Sequence, residues 1–350
     1  MAAVALLTAV TACSDDDNNG PDGPDIVRES DGAYILNQGN YYAQVEGMLS
    51  FVDYSRNTVT GNIFLNANGQ YLGNTPQCGI VYDDHIFIGV SESQVIWVLD
   101  DDTRKIERKI QLADGEKPRS IVAKGGYLYV SLYNGYVAKL NSETLEIESR
   151  VKVGPNPEIM AISGDKLYVP NSDGNAYPDY GTTASVIDLR TFTVTSTITV
   201  PENPNTFFTA GGKLYLLANG NYEDVDAALY EVKADNSTVK VMPATMVAPG
   251  PNGKIYVANT PFNGSDRTYS VYDTASGNIS SWSIPEVYYP SGMAVDPVRG
   301  DIFVGSLIQD GIYPSYTAPG YVCVYGSDGT FKSRYNVGAG PAAIFFDLDD

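Results

Sequence analysis

Histidine is nearly missing: His85 is the single one in 350 residues. Imidazole acid–base chemistry and His-rich metal sites therefore have almost no material to work with. Cationic side chains are also scarce, with 22 Lys and Arg against 42 Asp and Glu and a formal net charge of −20. So acidic a chain lacks the basic patch that neutralises phosphates, which excludes nucleic acid as a partner and disfavours anionic lipid surfaces. Three cysteines build no disulfide framework and no paired-cysteine zinc motif. No apolar run is long enough to cross a bilayer of roughly 30 Å. What remains is 43% apolar and 11% aromatic, enough to bury a large core, so the bulk of the chain is not disordered. The 26 Tyr, 34 Gly and 20 Pro against 6 Met suggest strands and turns.

Ala2 to Val10 is a short apolar run followed by Val10-Thr11-Ala12-Cys13, which reads as a secretory signal over residues 1–12. A Cys directly after Thr-Ala resembles the lipobox of bacterial lipoproteins and implies a lipid on Cys13. The alternative is an N-terminus without function. Residues 13–30 form an acidic tether, because Ser14 to Asp25 holds no apolar residue that could pack. Asp15, Asp17, Asn19 and Gly20 fit the opening of a calcium loop, but Ile26 stands where a bidentate Glu is required. The acid run after Cys13 resembles the surface-export signal of Bacteroidetes lipoproteins. Location at the outer membrane, exposed at the cell surface and held only by the lipid, is the resulting expectation. Cys78 and Cys323 could pair in an exported protein, but both lie in apolar strand-like runs, and buried free thiols are the expectation.

Internal repeats decide the fold of residues 31–350. One phrase recurs: an approach, usually through Pro, then a short apolar strand, a tight polar turn, and an apolar-aromatic strand. It begins at Thr75, Lys117, Asn156, Asn203, Pro243 and Tyr289. A seventh copy is split between Gly340–Asp347 at the C-terminus and Asp31–Asn37 near the N-terminus. Two alternating runs follow each copy, which argues four antiparallel strands per unit. Spread over seven copies, Gly32 to Val337 gives about 44 residues each, the spacing of a propeller blade. The expectation is an all-β, seven-bladed β-propeller, closed by a C-terminal strand that completes the N-terminal blade. Helix-period stretches are absent.

With strands labelled A to D from the axis outward, A–B and C–D turns share one face and are short. The other face collects long loops at Asn37–Gly47, Asn171–Thr183, Asn219–Ala227, Thr260–Arg267 and Ser306–Gly320, plus the connector Asn66–Thr75. Long loops on one side of a rigid scaffold are where binding residues sit. The candidate ligand contacts are Asn37, Gln38, Asn40, Tyr41, Tyr42, Tyr71, Tyr133, Asn134, Asn171, Tyr177, Tyr180, Asn219, Tyr222, Phe262, Tyr289, Tyr313 and Tyr316. Tyr offers a large apolar face with a polar handle at little entropic cost. Part of these rings would serve only to pack their own loops.

Arg119 and Glu158 each follow a Pro at the start of an innermost strand. They are candidates for ligand contact, with a mutual ion pair between blades as the alternative. Asp173, Asp179, Glu223, Asp224 and Asp226 could hold calcium or simply be solvated. No nucleophile–base pair can be built on His85, which falls at a short turn, so no catalytic residue and no required cofactor is expected. Paired carboxylates of a glycan hydrolase or lyase remain open as an alternative.

The phrases LYVSL (Leu128–Leu132), LYVPN (Leu167–Asn171) and IYVAN (Ile255–Asn259) resemble the YVTN/YncE-like propellers. Ile35 to Phe64, with the step Gly154 to Glu158, is similar to a group of Bacteroidetes surface lipoprotein propellers that includes the corrinoid-capture proteins of the BtuG type. That resemblance implies a monomeric, non-enzymatic surface propeller binding vitamin B12 and passing it to an outer-membrane TonB-dependent transporter. It assigns no ligand contacts residue by residue. A surface-layer or interaction propeller that binds glycan or protein is the other reading.

Overall fold

The computed structural model describes residues 29–261 and 267–348. Seven four-stranded antiparallel sheets follow one another around a ring. The second blade runs Pro76–Tyr82, His85–Val90, Val95–Asp100 and Ile106–Gln111 from the axis outward, each strand paired with the next. The third to seventh blades repeat the order, opening with Pro118–Lys124, Ala161–Ser163, Pro204–Ala210, Met246–Pro249 and Tyr289–Val295. In the first blade the innermost strand is the C-terminal Pro341–Leu348, paired with Ser30–Asn37. The expected closure therefore stands, and each of the seven blades has its innermost strand.

Alternation places apolar side chains between neighbouring sheets. Phe345 of the closing strand stacks on Tyr34 at 5.1 Å, and both are buried with Ile86, Ile88 and Trp97 of the second blade. Gly79 of the second blade is required at this contact, since a Cβ there would stand 2.4 Å from the Phe345 ring. Cys78 and Cys323 are buried and free, and burial pushes both thiols up, to about 12 and about 11.

Four local features differ from the sequence expectation. The connector after the first blade holds a short helix, Ile63–Asn68, with Phe64 buried against Trp97 at 5.2 Å. The loop Ser306–Gly320 contains a two-stranded hairpin, Gln309–Asp310 with Tyr313–Pro314. The innermost strand of the fourth blade shrinks to Ala161–Ser163, because Ile159 instead bonds sideways to Asn205 and Phe207 of the fifth blade. The first strand starts at Ser30, whose hydroxyl donates to the buried Asp296 of the seventh blade at 2.6 Å. Residues 1–28, including Cys13 and the signal segment, lie outside the described residues, as does Phe262. Among the described residues no helix is long and apolar enough to cross a membrane.

The closing strand ends in a group with a pH signature. Burial raises the Asp347 carboxyl to about 6; the charges of Asp101 and Asp31 add to this, while Arg104 and the Tyr34 hydroxyl oppose it. The folded state thus holds this proton more tightly than the unfolded chain. Its contribution is most favourable at low pH, declines as pH rises from about 4 to about 6, and stays low above that. Asp347→Asn is expected to raise the urea midpoint at pH 7 and to flatten the pH dependence in that window. A lower midpoint at pH 7 would show that the Arg104 pair, at 3.5 Å, outweighs desolvation.

Candidate functional site

The long loops lie on one face, and the exposed tyrosines lie there with them. All 26 tyrosines are among the described residues, and the exposed ones are Tyr41, Tyr42, Tyr71, Tyr177, Tyr222 and Tyr313. Each sits in a B–C loop or in the first D–A connector. Tyr177 and Tyr222 come from the fourth and fifth blades. The other four come from the seventh and first blades and the connector out of the first, on the far side of the axis. Ile312, 80% exposed, joins Tyr313 at the tip of the hairpin.

The Tyr177 group is built from the loops outward. Tyr177 and Tyr180 meet edge to face at 6.1 Å, and Tyr180 meets Tyr222 at 6.0 Å. Such T-shaped pairs are preferred by aromatic quadrupoles and hold the rings in a fixed wall. The Tyr177 hydroxyl donates to Glu223 at 2.8 Å, which raises its pKa. Tyr222 has φ 62°, a left-handed conformation that costs a non-glycine residue about 1–2 kcal/mol. Asn221 fixes it by accepting the backbone N–H groups of Glu223, Asp224 and Val225. Its hydroxyl is thereby brought to the side chains of Asn203 and Asn219.

Beneath this wall, at the axis, Arg119 and Glu158 form a pair 3% and 4% exposed. Arg119 Nε donates to Glu158 Oε2 at 2.5 Å and Nη1 donates to Gln77 Oε1 at 2.7 Å. The Tyr133 hydroxyl donates to Glu158 Oε1 at 2.7 Å, and Ser172 donates to the same oxygen at 3.4 Å. Burial disfavours the Arg119 charge, but the Glu158 carboxylate holds the guanidinium above its ordinary range. Burial also raises the Tyr133 phenol, reinforced by the Glu158 charge. The inter-blade ion pair is therefore what Arg119 and Glu158 form, with Arg119 Nε and Nη1 both engaged within the protein. Its Nη2 is buried without an acceptor.

Other candidates separate into surface and interior. Asn37 is fully buried, and its amide donates to Ile35 O, Met48 O and the Ser50 hydroxyl. Asn171 donates to Thr183 and Ser185 and accepts from Gly154 N–H. Both tie strand ends together and are turned away from the loop surface. Asn40 anchors its loop through Tyr316 O and the N–H of Ala43. Tyr316 sits against Tyr289, with burial pushing its phenol up to about 12, and Arg267 lies 5.0 Å from the Tyr289 ring. Gln38, Asn134 and Asn219 are at least partly accessible. His85 is on the opposite face, 2.8 Å from Glu107. Glu223 and Asp224 are engaged by Tyr177 and Asn221, and among the described residues no three His, Cys, Asp or Glu gather to hold a metal ion.

Gln77, Ser172, Asn203 and Asn205 were missed by sequence reasoning. For Gln77 and Asn205 the available signal was the Pro before each at the start of its innermost strand, read there only for Arg119 and Glu158; Ser172 and Asn203 carried no such signal.

The fold is shared widely. The chain is similar to a solved structure of hydrazine synthase from Kuenenia stuttgartiensis, with TM-score 0.63 and 16% identity, covering 77% of this chain and 89% of that chain. It is similar to apo AztD from Citrobacter koseri, with TM-score 0.58 and 12% identity, covering 92% and 99%. It also resembles the computationally designed protein Ika8, with TM-score 0.53 and 10% identity, covering 79% and 91%. At these identities the likeness is one of fold. No curated protein matches the sequence. The family model that does match spans residues 31–346, nearly the whole propeller, and the chain belongs to that family, the Domain of unknown function (DUF5074).

Proposed function

We propose that this propeller is a non-enzymatic capture protein, held at the outer cell surface by a lipid on Cys13, whose long-loop face takes up a corrinoid for delivery to an outer-membrane transporter. The observation that carries the reading is the confinement of every exposed tyrosine to one face. Exposed aromatics collected into a patch mark an interaction surface, whereas scattered ones carry no such meaning. Tyr groups on opposite sides of the axis suit a ligand broad enough to touch both. A large macrocycle with apolar faces and amide arms has that breadth, and the loop Asn and Tyr hydroxyl groups match its arms. The acidic balance of the loops attracts a cationic ligand, is indifferent to a neutral one and repels an anionic one.

Calorimetry with cyanocobalamin tests the reading. Wild-type protein is expected to bind with a Kd in the micromolar range or below. Tyr177→Ala combined with Tyr222→Ala is expected to weaken binding about tenfold or more, about 1.4 kcal/mol or above. No heat and no change in melting temperature at micromolar protein would overturn it.

A further inference from the structure

The innermost strands share a device at the mouth of the axis. In five blades the pairing register shifts just after a Pro: between Pro76 and Cys78, Pro118 and Ser120, Pro204 and Thr206, and Pro290 and Gly292, with Ala342 skipped after Pro341. Glu158 occupies the same place after Pro157 in the fourth blade. Pro donates nothing to a ladder, and a bulge re-aims the extra residue away from its sheet. The re-aimed residues meet across blades, as the bonds from Arg119 to Gln77 and Glu158 show.

Their identities are uneven around the ring. Gln77, Arg119, Glu158 and Asn205 fill four consecutive blades with long polar side chains. Ser291 and Ala342, in the seventh and first blades, are small. The long polar side chains therefore stand on one side of the mouth, with the small, buried Ser291 and Ala342 on the other. One donor of the wall is buried and unmet, Arg119 Nη2. Gln77 and Asn205 use their amide oxygens on Arg119 Nη1 and Thr206, which leaves their NH2 groups for an incoming acceptor. An unmet donor on a buried ion-paired Arg is costly to keep, and the Tyr133 ring, 5.7 Å from the guanidinium carbon, offers it only a π face.

We infer that this wall is a receptor for an uncharged carbonyl oxygen, a carboxamide arm reaching into the axial mouth, and that it rejects a carboxylate in the same place. Arg119 and Glu158 already cancel each other in a buried setting, so an added carboxylate would bury an uncompensated negative charge. A neutral amide adds no charge and meets the Gln77 and Asn205 donors. Gln77, the least buried of the four, is the residue that can give way to admit it to Nη2.

The inference deepens the proposed capture function, and its test separates the two. Wild type, Gln77→Ala and Asn205→Ala would be titrated with cyanocobalamin, with its derivatives in which side-chain amides are hydrolysed to carboxylates, and with triacetylchitotriose, a neutral glycan bearing acetamide groups. Melting curves would confirm that each variant is folded. The expected result is at least tenfold weaker binding of one or more carboxylate derivatives by wild type, and fivefold or greater loss of amide-ligand binding in each variant. No binding of cyanocobalamin by wild type, together with chitotriose binding that both substitutions weaken, would remove the corrinoid reading and keep the receptor. Binding of either probe unchanged by both substitutions, equal affinity for the carboxylate derivatives, or no binding of either probe would overturn the receptor.

Discussion

Arg119→Ala is expected to destabilise the propeller by about 3–5 kcal/mol, because it leaves the Glu158 carboxylate buried without its cation. The pair is 3% and 5% exposed at the side chains, so screening by water does not soften the loss as it does at the surface. Tyr133 and Ser172 would still donate to Glu158, which places the cost nearer the lower end. Removing both charges together, with Arg119→Met and Glu158→Gln, is expected to return most of that stability, since the desolvation of two ions disappears with their attraction. Urea unfolding of the single and double variants checks this. A single variant within about 1 kcal/mol of wild type would mean that water reaches the pair.

Cutting the chain after Ala339 is expected to abolish the folded monomer. The cut removes Pro341–Leu348, which supplies the innermost strand of the first blade and the buried side chains Ala343, Ile344, Phe345 and Phe346. It also uncovers the inner edge of Ser30–Asn37, a ready template for pairing with another chain. Aggregation, or an expanded species in size-exclusion chromatography, is the expected readout. Phe345→Ala is the milder version and is expected to cost about 3–5 kcal/mol through the cavity between Tyr34 and the Gly79 backbone. A truncated chain that stays monomeric with an unchanged melting curve would show that the six remaining inner strands suffice.

The blades were legible because strand alternation and the repeated strand–turn–strand phrase are written locally, residue by residue. The closing strand was legible because half a phrase stands at each end of the propeller. The departures arise where tertiary contact overrides local pattern. Ile63–Asn68 is too short for helical periodicity to register, and burial of Phe64 against Trp97 selects its conformation. Ile159 reads as strand by composition, but its backbone is taken by the neighbouring blade. Asn37 and Asn171 look like loop polar residues, yet each closes the end of a blade through its amide. The aromatic face could be read from loop length and tyrosine content. Convergence of Gln77, Arg119, Glu158 and Asn205 could not, because a register shift leaves no trace in sequence beyond a Pro.

Ser30 and Leu348 are paired at one end of adjacent strands, on the side of the short turns. Both ends of the described chain therefore leave from the back of the ring. Ser30–Asn37 spans the thickness of the disc in eight residues, about 26 Å. With the anchor on Cys13 that we propose, the long-loop face would point outward and stand a disc's thickness from the membrane side. Residues 13–29 reach at most about 60 Å when extended, more than twice that thickness. By chain length alone, an anchor on Cys13 of the kind we propose would leave the disc room to turn its long-loop face toward the membrane.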